Sequence, residues 1–175
     1  MVLADDRAAE DPLDDRGPGV ARRGGRGYKV PMTDSRTVPD SSSAAASTFV
    51  RVSGLVVDEV TTTSLRGHAD LGADHLTDWG TVHGGVYASI VESAGGAGAG
   101  FAVADRGQIA VGVHNGTDFL RASTGGRVEV TAESLFQGRG QQLWDVVITQ
   151  SETGKVLARG QLRLQNVDRP DGTRA

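Results

Sequence analysis

The chain has 175 residues, 18 Lys and Arg against 22 Asp and Glu, and a formal net charge of −4 at pH 7, a size that supports one domain with its own core and is short for two. The mild acidic excess argues against nucleic acid as the main partner, and the absence of cysteine excludes disulfides, thiolate nucleophiles and cysteine-ligated metals. No apolar run approaches the ~20 residues of a membrane span, and the charged N-terminus lacks a signal-peptide core, so a cytoplasmic protein without a membrane partner is expected.

Residues 1 to about 48 are dense in Asp, Arg, Gly, Pro and Ser and carry neither a helical nor a strand period. Such a composition cannot bury enough to offset its ordering entropy, and the stretch reads as a disordered tail. It contains the basic cluster "ARRGGRGYK" at 21–29, and Met32; a start codon placed too far upstream of Met32 is the other reading of the first thirty residues. Deleting residues 1 to 45 is therefore expected to leave folding and activity intact, checked by thermal melts and turnover of the truncated protein. A fall of many degrees in melting temperature would mean that the tail packs on the domain.

From Val50 the texture changes. The β-branched runs "LVVDEV" and "TTTSLRGHADL" predict two short strands or a hairpin. Four more strands are predicted further on, in "IAVGVHNGTDFL", "RVEVTAESLFQ", "QQLWDVVITQ" and "KVLARGQLRLQ", separated by the turn segments "RASTGG", "GRG" and "SETG". Alternation is clearest in Ile109, Val111 and Val113 against Ala110, Gly112 and His114, and in Val128 and Val130 flanked by Arg127, Glu129 and Thr131.

Between the two sets of strands lies "GTVHGGVYASIVESAGGAGAGFAVA", at 80–104. At helical spacing Val86, Ile90, Ala94, Ala97 and Phe101 form one stripe, expected to pack on a sheet. Gly85, Ser89, Glu92, Gly96 and Ala99 line a flank, and Tyr87, Ala88, Val91, Gly95 and Gly98 fill the remaining, equally uncharged face. A helix apolar or small nearly all round is a buried helix. The order strand, strand, helix and four strands is an α+β plan with one long helix for the sheet to cover.

Glu92 is the single carboxylate of this helix, and no Lys or Arg stands between Arg66 and Arg106. An ordinary helical Glu reaches solvent at an edge, usually among other charges. Here the isolation favours a buried, poised carboxylate of the kind used in nucleophilic or general-base catalysis. "HGG" opens the helix, so the N–H groups of Gly84 and Gly85 and the positive end of the helix dipole are expected beside His83, a place suited to a developing oxyanion. An ordinary glycine-rich helix entry is the alternative. The four His residues show no ligand spacing and no Ser sits in a nucleophile elbow, so neither a metal centre nor a serine hydrolase is expected.

The segments "GTVHGGVYASIVES", "NGTDFLRASTGGRV", "QGRGQQLW" and "ARGQLRLQN" resemble hotdog-fold acyl-CoA thioesterases of the phenylacetate-degradation and 4-hydroxybenzoyl-CoA type, over roughly residues 50–167. The resemblance implies a hotdog fold at 49–167, a curved antiparallel sheet wrapped around one long central helix, with a flexible C-terminus at 168–175. It implies hydrolysis of an aromatic or otherwise bulky acyl-CoA, with Glu92 as nucleophile or general base. Gly84 would polarise the carbonyl through its N–H, with Gly85 beside it, and His83 would position the thioester and leaving thiol. Arg121 and Arg139 match phosphate contacts of coenzyme A, with an ordinary solvated arginine as the alternative for each.

Two departures bear on water placement: Thr77 stands where the family has Asn or Gln, and Gly96 where several relatives with glutamate have Ser or Thr. Thr77 or Asp78 would take over part of that role. Coenzyme A is part of the substrate, so no separate cofactor is implied. The expected partners are the small-molecule substrate and further copies of the chain, with a homodimer as the smallest active unit and a homotetramer as the larger assembly. Two rivals are a hotdog enoyl-CoA hydratase, from the Asp78-to-His83 spacing of "DWGTVH", and a non-catalytic acyl-CoA-binding module.

Overall fold

A computed structural model of the chain describes residues 48–169. The expected tail, with its basic cluster and Met32, and the C-terminal segment lie outside the described residues, apart from Thr48, Asp168 and Arg169. In chain order the elements are α1 (Thr48–Val52), β1 (Val56–Val60), β2 (Ser64–Leu71), α2 (Gly84–Val103), β3 (Gln108–Phe119), β4 (Gly126–Gln137), β5 (Gln141–Gln150) and β6 (Val156–Asp168). Short 3-10 turns follow β2 and α2. The expected order of strands and helix is observed, with α1 as an addition that no sequence period announces.

The six strands form one antiparallel sheet in the order β1-β2-β4-β5-β6-β3. The chain leaves β2, runs through α2, and lands at the opposite edge as β3. There Gly107, with φ 67° in the left-handed region, ends the 3-10 turn and lets the strand begin. Period-2 alternation sends Leu65 and Ala69 of β2, Val128 and Val130 of β4, and Trp144 and Val146 of β5 to the inner face, where all are buried. Their outward neighbours Arg127, Glu129 and Thr131 are exposed, as expected. The result is the hotdog arrangement, a sheet wrapped around one helix.

Alternation fails in β3. Val111 and Val113 are 44% and 55% exposed: Val111 faces outward opposite Gln165, with Gly112 inward opposite the buried Leu164, and at Val113 the register with β6 shifts between Gly112 and His114. A bulge of this kind inserts one unpaired residue, here Val113, and turns the residues beyond it onto the other face.

Helix α2 buries a different face from the one its stripe suggested. Tyr87, Ile90, Val91, Ala94, Gly95 and Gly98 are buried, whereas Val86, Ala97 and Phe101 of the expected stripe are only partly so. The reason is close approach: a Cβ at Gly95 would lie 2.8 Å from Leu162 and one at Gly98 2.7 Å from the Trp144 ring. Glycine therefore selects the face that can press onto the sheet, a contact that apolar periodicity cannot see. Trp144 is fully buried and fixed by the bond from its Nε1 to Gln142 Oε1 at 2.9 Å, so it cannot retreat. Gly98→Ala should lower stability, since overpacking at about 1–3 kcal/mol exceeds the helix-propensity gain of about 0.8–1 kcal/mol. Gly100 has nothing within 4 Å of such a Cβ, and Gly100→Ala should raise stability by up to that gain. Urea unfolding of the two variants checks the opposite signs.

Candidate active site

Glu92 stands on the flank of α2 with Gly85, Ser89 and Gly96, beside the edge strand β3. It is exposed in the chain, which corrects the expectation of a buried carboxylate without a partner. Its partner comes from β3: Asn115 donates from Nδ2 to Glu92 Oε2 at 3.1 Å and to the Ala88 carbonyl at 3.0 Å. Thr117 in turn donates its hydroxyl to Asn115 Oδ1 at 2.7 Å. The other carboxylate oxygen, Oε1, lies against Gly112, in space that a Cβ at Gly112 would fill. Residues 112 and 115 differ by three and would face opposite ways on a regular strand. The bulge at Val113 brings both to Glu92.

The start of α2 is built by His83. Its φ of −67° and ψ of 130° make it the N-cap, and its Nδ1 accepts from Gly85 N at 2.9 Å. A backbone N–H can only donate, so in the neutral ring the proton sits on Nε2, which is left as a donor. The Gly85 N–H is thus spent, against the expectation that both glycine N–H groups are free. Gly84 supplies the first N–H of the helix, which has no intrahelical acceptor. The Phe119 ring covers Gly84, 2.9 Å from where a Cβ would stand, and tilts over Tyr87 with ring centroids 6.4 Å apart. Burial pushes the Tyr87 phenol up, so it stays protonated at neutral pH.

A groove of about 470 Å³ borders the same flank, between α1 and the first turns of α2, with Phe49, Val52, Leu76, His83, Val86 and Ser89 among its walls. His75 fastens α1 to this region by bonding the Val52 carbonyl through Nε2 at 2.8 Å and accepting from Gly72 N through Nδ1 at 3.0 Å.

The remaining expected site residues are dispersed. Thr77 closes its own turn, donating its N–H to Thr81 O at 2.7 Å and meeting the Thr81 hydroxyl at 3.2 Å. Asp78 and Trp79 ride the exposed tip of that turn, and no hydrogen bond joins Asp78 to His83, so nothing in the geometry favours the hydratase. Gly96, one turn beyond Glu92, faces open space in the chain. Arg121 follows β3 at the Gly84 end, donating to the Val156 carbonyl at 2.8 Å, whereas Arg139 sits in the β4–β5 turn whose strands pair with the other end of β6. At 3.3 Å per strand residue the two arginines are roughly 30 Å apart along the sheet, too far to share one phosphate.

Gly84 and Glu92 are eight positions apart on one helix, about 12 Å along its axis. One chain cannot apply both to the same carbonyl carbon. Asn115, Thr117 and Gly112 were missed by sequence reasoning. Their only signal was "VGVHNGT", in which polar residues interrupt an apolar strand.

Residues 80–157 match the family model for the thioesterase superfamily. A Mycobacterium tuberculosis protein named "putative esterase" is 44% identical over 118 residues, 66% of this chain and 83% of its own length. Its solved structure, 43% identical, covers 70% of this chain and 98% of that one with a TM-score of 0.66. AziG of S. sahachiroi is 35% identical, with 70% and 98% covered and a TM-score of 0.66. A hypothetical thioesterase of Streptococcus pneumoniae, solved with coenzyme A, shares the fold at 18% identity, with 66% and 87% covered and a TM-score of 0.58.

Proposed function

Because the chain belongs to the thioesterase superfamily, we propose that it hydrolyses acyl-CoA thioesters, with Glu92 as nucleophile or general base and the Gly84 N–H as donor to the carbonyl oxygen, in a site shared between two copies of the chain. The observation that carries this reading is the Glu92 carboxylate, exposed beside an open strand edge, with Oε2 held by Asn115 and Oε1 resting against Gly112. The 12 Å between Gly84 and Glu92 calls for a second chain, whose Gly84 meets this chain's Glu92 when the two helices run antiparallel about a two-fold axis. The β3 edge, with Val111, Val113, Phe119 and Leu120 exposed, is the surface such a copy would cover, and a homodimer is the smallest unit with a complete site.

In the nucleophilic route Glu92 attacks the thioester carbon, the oxyanion accepts from Gly84 N–H, and the C–S bond breaks to release the thiolate, which is then protonated. Water hydrolyses the resulting anhydride, giving the acid and restoring the carboxylate. In the general-base route Glu92 takes a proton from water as the hydroxyl adds to the same carbon, and that proton leaves with the thiol. His83 Nε2–H donates to the thioester or departing sulfur in either route. The groove walled by Phe49, Val52, Leu76 and Val86 supports an aromatic or bulky acyl group, and Arg121 is the candidate phosphate ligand at the Gly84 end.

A panel of acetyl-, hexanoyl-, benzoyl- and phenylacetyl-CoA with free-thiol detection tests the reading. Release of thiol, fastest with the aromatic acyl groups, is expected. Binding of acyl-CoAs without any thiol release would replace the enzyme by a binding module.

A further inference from the structure

The donors and acceptors around Asn115 form a closed set. Ala88 O can only accept, which fixes the amide with Nδ2 toward the helix, one N–H on the Ala88 carbonyl and the other on Glu92 Oε2. Thr117, two residues on and therefore on the same face of β3, donates to Oδ1 and so opposes a flip of the amide. Thr117 has room to do so because the residue opposite it on β6 is Gly160, where a Cβ would stand 2.7 Å from the Thr117 hydroxyl and 2.9 Å from Val91. Gly112 does the same for Glu92 Oε1. Two glycines and one bulge thus make space for a chain Thr117, Asn115, Glu92 along the inner face of an edge strand. Among the described residues no cation lies within ion-pair distance of Glu92, so Asn115 is its fixed partner.

We infer that Asn115, oriented by Thr117, is the positioning residue of the Glu92 carboxylate, holding Oε2 and with it the orientation in which the carboxylate meets the substrate. This rests on the reading of Glu92 as the reacting carboxylate. The amide spans one helical turn, from the Ala88 carbonyl to the Glu92 side chain, so it fixes the direction of the carboxylate as well as its place. A carboxylate otherwise free to rotate on an exposed helix flank would spend much of its time away from the thioester carbon.

The test compares pH profiles of kcat/KM, on the best acyl-CoA of the panel, for Asn115→Asp, Asn115→Ala, Thr117→Val and Thr117→Ser, with thermal melts of each. Asn115→Asp sets a second negative charge against Glu92, so the acidic limb should move to higher pH by about one unit or more. Asn115→Ala removes the donor to the charged form and should move it the same way with a lower plateau. Thr117→Val, isosteric but without the hydroxyl, should give a smaller move in that direction, and Thr117→Ser should return to the parent profile. Thr117→Val touches neither Glu92 nor Ala88, so it carries the comparison even where an Asn115 variant fails to fold. Acidic limbs that coincide with the parent's in all variants, whatever happens to melting temperature or plateau, would make Asn115 a structural tie alone and overturn the inference. Parent-rate hydrolysis by Glu92→Gln would instead overturn the reading of Glu92, and the two failures are distinct.

Discussion

Glu92→Gln should hydrolyse its best acyl-CoA at least ~100-fold more slowly than the parent protein, the low end for loss of a general base, with acyl-CoA binding largely retained. The amide keeps the shape of the carboxylate and removes both its negative charge and its basicity. Because Glu92 is exposed and makes no ion pair among the described residues, the substitution leaves no buried charge uncompensated, and the melting temperature should change little. A Gln side chain can still accept from Asn115 Nδ2 through Oε1, which makes the loss a chemical one. Hydrolysis at the parent rate would remove Glu92 from the mechanism.

Gly84→Pro should lower kcat by about 10²–10³-fold, the usual effect of deleting one oxyanion donor. Proline deletes the N–H while suiting the first helical position, where no intrahelical bond is lost. His83, with φ −67° and ψ 130°, already has the extended conformation that a residue before proline requires. The new Cβ meets the edge of the Phe119 ring, a side chain that is 57% exposed in the single chain and has room to adjust before a second copy covers it. The fold should therefore survive a change that turnover does not. Mixing Gly84→Pro and Glu92→Gln subunits then reads the architecture of the site. When the two groups come from different chains, half of the dimers are mixed and each carries one intact site, so about a quarter of the parent activity returns. Two groups acting within one chain would leave every site defective, and the mixture would stay inactive.

The parts of the site that lie close in sequence were legible from it. "HGG" before an uncharged apolar run marks a helix start, and the structure begins the helix at Gly84, with His83 as an N-cap that the sequence reading did not assign. The lone Glu92 on a helix without neighbouring cations was likewise visible, because an isolated charge stands out against apolar periodicity. What failed was the inference that isolation means burial. The helix turns its Tyr87, Val91, Gly95 and Gly98 side to the sheet, and this leaves the Glu92 flank beside an edge strand that nothing covers within the chain.

Local patterning by itself determined the six strands, the single long helix between the second and third of them, and the inward direction of residues such as Val128 and Val130, since each depends on a period of two or 3.6 read over a few residues. Tertiary structure alone decided which helix face is pressed onto Leu162 and Trp144, which strand stands beside Glu92, and which side chain holds it. Asn115 is 23 residues from Glu92 and reaches it only because β3 crosses to the far edge of the sheet and a bulge at Val113 reverses its facing. A period of two gives the wrong side for Asn115 relative to Gly112, and the extra unpaired residue that corrects it is a property of the pairing with β6, which no single strand's sequence contains.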